Sequence, residues 1–349
     1  MDTVTAGRRA IGEGKPVFLI AEAGVNHNGS RALALRLVDA AARAGADAVK
    51  FQTFKASLLA SSSASTARYQ RRGARGETSQ RKMLEALELS EGDLRAVAAR
   101  CRRRKILFLS TPFDKESADF LEELGVPAFK ISSGDLTDLP FLAHVARKGR
   151  PMIVSTGMAT LAETREAVRT VRRAGNSRLI LLHCVSAYPA DPKDVNLRAM
   201  DALAKEFKVP TGYSDHTPGL SIPFAAAARG ARVIEKHFTL DRSLPGPDHR
   251  MSLEPGELAA LVRGVREVES SLGDGIKRPA SAERETRRVS RKSLASARDL
   301  AAGERLVRSA VTALRPGTGL APSFLPGLLG RRLRRRVPSG TLLRREWFR

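Results

Sequence analysis

Cysteine is nearly absent from this chain: Cys101 and Cys184 are the only two in 349 residues. That excludes a disulfide framework and fits a reducing compartment. Long apolar runs are missing too, and the opening stretch MDTVTAGRRAIGEGKP carries no secretory h-region. The expectation is a cytoplasmic protein with no membrane partner. Aromatics make up 5% of the chain, with one tryptophan and three tyrosines, which leaves few side chains to stack on bases. Acidic residues are the last shortage, 37 against 60 basic ones, for a formal charge of +23. Such a balance raises nucleic acid as a partner. Arginines are nevertheless scattered through nearly every helix-like segment, and only Arg331-Arg332-Leu333-Arg334-Arg335-Arg336 forms a run. Solvated arginine faces and an anionic substrate account for the excess, and no nucleic-acid partner is expected.

What is present is a rhythm. Eight β-like runs occur at Val17–Gly24, Ala48–Thr53, Ile106–Pro112, Ala128–Gly134, Met152–Met158, Leu179–Ser186, Thr211–Thr217 and Arg232–Thr239. Segments of helical period separate them, such as Arg31–Ala44 with Leu33, Leu37 and Ala41 on one face. Glycine closes several, as in Ala44-Gly45-Ala46 and Leu124-Gly125-Val126. Eight strands alternating with helices is the count of a TIM (β/α)8 barrel. The barrel is expected over residues 1–275, followed by a linker over 276–292 and a small β-rich, turn-heavy domain over 293–349. Outside the rhythm, the Ser-, Arg- and Gly-rich segment Lys55–Lys82 is either a lid over substrate or a disordered excursion.

Side chains alternate along a strand, so residues two apart share a face. Lys50 pairs with Gln52 in this way, Lys130 with Ser132, Ser214 with His216, and Glu235 with His237. Glu22, Thr111, Ser155 and His183 complete a set of polar residues at the carboxyl ends of the runs, where a barrel of this kind places its chemistry. Two lysines among hydroxyls suit a small molecule carrying phosphate and carboxylate. His216 and His237 either share a divalent metal or each cap a strand. Glu22 and Asp135 serve either in proton transfer or as partners to the lysines.

The motifs IAEAGVNHNG (Ile20–Gly29), VKFQT (Val49–Thr53), STPFD (Ser110–Asp114), FKISSGD (Phe129–Asp135), STGM (Ser155–Met158), HCVSAYP (His183–Pro189), GYSDHT (Gly212–Thr217) and EKHFTLD (Glu235–Asp241) resemble those of the sialic acid synthase family. The likeness runs on through Pro245-Gly246-Pro247-Asp248-His249 into a terminal segment similar to that family's antifreeze-like (SAF) domain. It implies condensation of phosphoenolpyruvate with an N-acetylated hexosamine, foremost N-acetylmannosamine, to a nonulosonic acid and phosphate. By motif, Lys50, Thr111, Lys130, Ser133, Ser155 and Ser214 would hold phosphoenolpyruvate. His216 and His237 would bind Mn2+ or Mg2+, and Glu22 would handle the proton of the attacking water. Gln52, Asp135, Tyr188 and Asp248 would serve the sugar side. The resemblance further implies a domain-swapped homodimer in which Arg315, in Arg315-Pro316-Gly317, completes the partner's site.

Two departures touch the sugar side. Gly73-Ala74-Arg75 stands where the family often has asparagine, and Asp135 where many members have glutamate. His27 and His249 are read as loop structure, and His144 as a helix surface or packing residue. Legionaminic and pseudaminic acid synthases share most of these motifs and form the first alternative. A basic nucleic-acid-binding protein on an inactive barrel is the alternative from another class, and an aldolase using Lys130 as a Schiff base is a third.

Overall fold

The computed structural model describes residues 3–67 and 77–349. The chain divides into two compact units, Met1–Gly273 and Asp274–Arg349.

In the first unit, eight parallel strands form one sheet: β1 (Phe18–Gly24), β2 (Ala48–Thr53), β3 (Leu107–Pro112), β4 (Phe129–Ile131), β5 (Met152–Ser155), β6 (Leu179–Cys184), β7 (Thr211–Asp215) and β8 (Val233–His237). Hydrogen bonding runs in the order β3-β2-β1-β8-β7-β6-β5-β4, so the last strand pairs with the first, Val233 beside Phe18 and His237 beside Glu22. The two ends of that order, β3 and β4, lie side by side with Cα atoms within 8 Å. Eight helices pack outside: α1 (Arg31–Ala44), α2 (Glu91–Arg104), α3 (Lys115–Leu124), α4 (Leu139–Arg147), α5 (Leu161–Arg173), α6 (Ala199–Phe207), α7 (Ser221–Ala228) and α8 (Pro255–Leu272). This is the TIM barrel expected from the alternation.

Local chemistry sets the helix ends. The Ser30 hydroxyl accepts from the Leu33 amide to start α1, and Gly45 ends it in the left-handed region at φ 84°. Thr160 and Glu163 cap α5 reciprocally. α6 turns Met200, Leu203 and Phe207 inward at helical spacing.

The two faces of each strand meet different neighbours. Val49, Phe51, Phe129, Ile131, Val154, Leu181 and Ile234 face outward and share one buried cluster with Leu37, Val97, Leu121, Leu142, Val168, Leu203 and Leu261 of the helices. Ile20, Ala48, Leu109, Ile153, Leu182 and Val233 face inward and fill the ring. Val4, Ala6 and Ile11 join that inner cluster from an antiparallel hairpin, Val4–Ala6 against Arg9–Ile11. Three residues per strand give no sequence period, so this hairpin is invisible before folding. With apolar packing in the ring and a hairpin on it, the barrel has a core and no pore.

The second unit is β-rich, as expected. Ser293–Ser296 pairs antiparallel with Val311–Leu314, over a core that includes Leu294, Leu300, Leu306, Leu333, Val337, Leu343 and Phe348. The unit also takes in the whole 276–292 segment read as a linker, which carries a short helix, Arg284–Ser290. The arginine run is a solvated face: Leu333 is buried, Arg336 pairs with Asp299, and Arg335 stacks on Trp347 at 5.1 Å.

α1 and α2 are joined by charge. Asp39 accepts from Arg100 and from Arg104 Nε, the latter at 2.7 Å. The hydrogen bond from Arg100 leads the effects holding this carboxyl well below the usual range. A depressed folded value means stability that is present above the unfolded value and lost as pH falls into the acid range. Asp39→Asn is expected to lower stability near neutral pH by about 0.5–1 kcal/mol, with variant and parent converging towards low pH in thermal melts. Parallel melting curves at every pH would show that the pair contributes nothing.

Candidate active site

At the carboxyl ends of the strands lies a cavity of about 510 Å³. Strand parity builds its floor. The same inward face that fills the ring with Ile20, Ala48, Leu109 and Ile153 lower down presents Glu22, Lys50, Thr111 and Ser155 one step further along. Lys130, Cys184, Ser214 and Glu235 add the other four strands, with His216 and His237 at the ends of β7 and β8.

Charge is dense here and buried. Lys50 Nζ lies 2.8 Å from Glu22 Oε1 and donates to Thr111 Oγ1 at 2.9 Å. Lys130 Nζ donates to Ser155 Oγ at 2.7 Å and to the Ile131 carbonyl at 3.0 Å. Glu235 Oε1 sits between the two ammonium groups, 3.6 Å from Lys130 and 3.9 Å from Lys50, and accepts from Ser214 Oγ at 3.2 Å. Glu22 thus does pair with a lysine. Glu235, which shares a face with His237 and was expected at the mouth without a role, turns out to be the carboxylate common to both lysines.

Environment separates the two carboxyls. Burial pushes Glu22 up to about 7, against the pull of Lys50. Burial opposes ionisation of Glu235 too, but Lys130 and Lys50 together hold it below its ordinary value. Burial lowers Lys130; it also acts on Lys50, where Glu22 and Glu235 outweigh it and raise the ammonium. Three polar atoms of this cavity, Glu22 Oε2, Glu235 Oε2 and His237 Nδ1, are buried without a hydrogen-bond partner. Unpaired buried groups are uncommon, and three in one cavity mark a place prepared for a ligand.

The imidazoles of His216 and His237 stand 5.5 Å apart between centroids, with the Tyr188 ring 4.2 Å from the first and 6.1 Å from the second. His216 Nδ1 lies 2.8 Å from the Val185 carbonyl. A carbonyl only accepts, so Nδ1 carries a proton and Nε2 is the nitrogen left to meet a cation; burial opposes the charged ring, but the Cys184 contact outweighs it and raises this imidazole. Burial, and then His216, hold His237 far below the usual histidine value and therefore neutral. Two imidazoles side by side, that of His237 neutral and with an unpaired buried nitrogen, suit a divalent cation. No cluster of three His, Cys, Asp or Glu ligands exists among the described residues, so water and substrate oxygens would complete the shell. Behind the pair, Lys236 bonds Asp215 and donates to the Thr217 carbonyl at 2.6 Å, tying β7 to β8 beside the two histidines.

Other expected residues fall as follows. Gln52, Ser133, Tyr188 and Asp248 line the cavity, and burial pushes Asp248 up to about 6. Ser133 Oγ also accepts from the Gly157 amide at 2.9 Å. Asp135 does not line it; the carboxylate stands behind Ser132, whose Oγ donates to it at 2.8 Å, and burial pushes it up to about 6. His183 is a correction. Parity turns it outward, where Nε2 meets the Val195 carbonyl at 2.6 Å, and the inward residue of β6 is Cys184. Arg315 follows Val311–Leu314 in the second unit. His249 holds Thr239 Oγ1 at 2.6 Å and Asn28 Oδ1 at 3.2 Å, which is loop structure. His144 lies on α4 against Asp119. Gly73-Ala74-Arg75 lies outside the described residues, as does the middle of Lys55–Lys82.

A barrel with two buried ammonium groups, hydroxyls and a histidine pair at its mouth has the chemistry to hold a small anion. The NeuB family model matches residues 37–277 and the SAF domain model residues 291–346. The chain belongs to the NeuB family, the sialic acid synthase family. It is similar to the N,N'-diacetyllegionaminic acid synthase of Legionella pneumophila, 48% identical over 97% of this chain and 96% of that protein. A protein of the same name from Campylobacter jejuni is 44% identical over 91% of this chain and 96% of its own length. Among solved structures, the N-acetylneuraminic acid synthetase of Leptospira borgpetersenii in complex with citrate superposes with TM-score 0.72 at 38% identity, over 82% of this chain and 95% of that one.

If the lysine pair is the anion cradle, a phosphorylated carboxylate such as phosphoenolpyruvate raises the melting temperature of the protein. Lys130→Met is expected to reduce that ligand's affinity roughly tenfold or more. An unchanged ligand-induced shift in the variant would move the cradle elsewhere.

Proposed function

We propose that this protein condenses phosphoenolpyruvate with a diacetamido hexose, forming a nonulosonic acid of the N,N'-diacetyllegionaminic type and releasing phosphate. The observation that carries the reading is the placement of Lys50 and Lys130, with Glu22 and Glu235 between and beside them, across one cavity from His216 and His237. The names of the relatives just described favour the legionaminic acceptor over N-acetylmannosamine, the first expectation.

In this scheme Lys50, Lys130, Thr111, Ser133, Ser155 and Ser214 hold the phosphate and carboxylate of phosphoenolpyruvate. Its methylene carbon attacks the aldehyde carbon of the open-chain sugar, forming the new C–C bond and leaving the phosphate-bearing carbon cationic; the aldehyde oxygen takes up a proton and becomes a hydroxyl, balanced by the proton that the adding water gives up. Water adds to the former enol carbon that bears the phosphate. The C–O bond to phosphate then breaks, leaving the 2-keto acid and free phosphate. Glu22 takes the proton of that water through Oε2, the oxygen that no protein donor satisfies. A divalent ion, Mn2+ or Mg2+, on His216 and His237 supplies Lewis-acid polarisation of the aldehyde when bound. Gln52, Tyr188 and Asp248 orient the sugar, and Asp135 acts by positioning Ser132. Arg315 belongs to the proposal as the residue that completes a second copy's site in a domain-swapped dimer.

Phosphate release is the test. Protein, manganese, phosphoenolpyruvate and a diacetamido hexose should yield phosphate and a 2-keto sugar acid in equal amounts. His216→Ala should lower kcat at least a hundredfold and weaken Mn2+ binding measured by titration, with the melting temperature close to the parent's. Undiminished turnover in chelator-treated buffer would remove the metal from the scheme.

A further inference from the structure

Two asparagines in the loop after β1, Asn26 and Asn28, grip a second loop at both its ends. That loop, residues 245–252, carries Asp248 to the wall of the cavity. At its start, Asn28 Nδ2 donates to the Pro245 carbonyl at 2.8 Å. Gly246 passes so close that a Cβ there would stand 2.7 Å from Asn28 Oδ1 and 2.6 Å from His249 Cδ2. At its end, Asn26 Nδ2 donates at 2.9 Å both to the Phe238 carbonyl just past β8 and to Ser252 Oγ. Ser252 Oγ in turn donates to the Asp248 carbonyl at 2.6 Å. One residue further, the Leu253 amide donates to the His237 carbonyl at 2.9 Å, which lays the returning chain along the end of β8. Asn26 and Ser252 are both buried, so bulk water does not stand in for either one.

Asp248 depends on this support. Its side chain makes no capping bond to the one-turn helix His249–Met251 that it precedes. Only two torsions separate backbone from carboxylate, so the place of the backbone decides what the carboxylate can reach. Lys50 and His216 both act on its charge, which puts it within electrostatic reach of the lysine side and the histidine side of the site. Removing one member of a buried hydrogen-bond chain leaves its neighbours unsatisfied, and the backbone shifts to repair them. We infer that Asn26 and Ser252 are positioning residues: through the bond from Ser252 Oγ to the Asp248 carbonyl, they hold the Asp248 carboxylate where it meets the acceptor sugar. The inference rests on the condensation proposed above, in which Asp248 orients the sugar, and adds the residues through which that carboxylate is aimed.

The experiment is a double-mutant cycle read by phosphate release, with whichever of a diacetamido hexose and N-acetylmannosamine the parent turns over. Ser252→Ala is expected to lower kcat/KM for the sugar by roughly ten- to a hundredfold, the scale that a displacement of about 1 Å carries. KM for phosphoenolpyruvate should stay as in the parent. Asn26→Ala should give the same pattern; Ser252→Ala, which removes a single oxygen, carries the test alone if Asn26→Ala does not fold. A merely structural role predicts the same loss from Ser252→Ala whether or not Asp248 is also replaced. Positioning predicts that the loss largely disappears in the Asp248→Ala background, because the group being aimed is gone. Equal losses in both backgrounds, or a Ser252→Ala enzyme matching the parent in kcat/KM for the sugar, overturn the positioning role while the parent's phosphate release leaves the condensation standing. A loss that appears instead as a raised KM for phosphoenolpyruvate overturns it as well. Absence of phosphate release from the parent with both sugars overturns the condensation and this inference with it.

Discussion

Two ammonium groups buried at the mouth of the barrel are the constraint around which the site is arranged. Taking a lysine out of water is costly unless its charge is matched and its protons are bonded. Lys50 meets that condition with Glu22 and Thr111, and Lys130 with Ser155, the Ile131 carbonyl and a longer approach to Glu235. The arrangement is almost neutral within the protein and still leaves one oxygen of each carboxyl without a donor. Replacing the set with well-packed apolar residues would fill the mouth as readily, so stability does not explain why it is there. A ligand does. An incoming dianion can share both lysines, and the carboxyl that yields most readily to its negative charge is Glu22, which burial already holds near neutrality at about 7.

That constraint is met by the barrel and not by any one motif. Each of the eight strands contributes an inward side chain near its carboxyl end, so no two floor residues within hydrogen-bond reach of each other need be close in sequence. Lys50 and Thr111 are 61 positions apart, and Lys130 and Ser155 are 25 apart. Closure between β8 and β1 sets His237 beside Glu22. The ion pair of Lys236 with Asp215 fastens the two histidine-bearing strands from the outer face. Rigid elements thereby fix the floor, as precise alignment of any bound reactant requires.

Much of this was legible in the sequence because a strand obeys a period of two. The runs, their polar ends and the pairing of Lys50 with Gln52 or Glu235 with His237 all follow from it. The same rule, applied to β6 with the wrong phase, put His183 in the mouth where Cys184 stands; a run apolar on both faces gives no internal clue to phase. Asp135 illustrates a different limit, since a residue in the 3-10 turn after β4 escapes strand parity, and its place behind Ser132 depends on the turn. The N-terminal hairpin is too short to carry a period. The apolar part of the cavity wall escaped for another reason: Leu59 ends the short helix Ala56–Leu59 while Met83 and Leu84 lie on Gln80–Glu85, at either end of a stretch whose serines, arginines and glycines hide its few apolar residues.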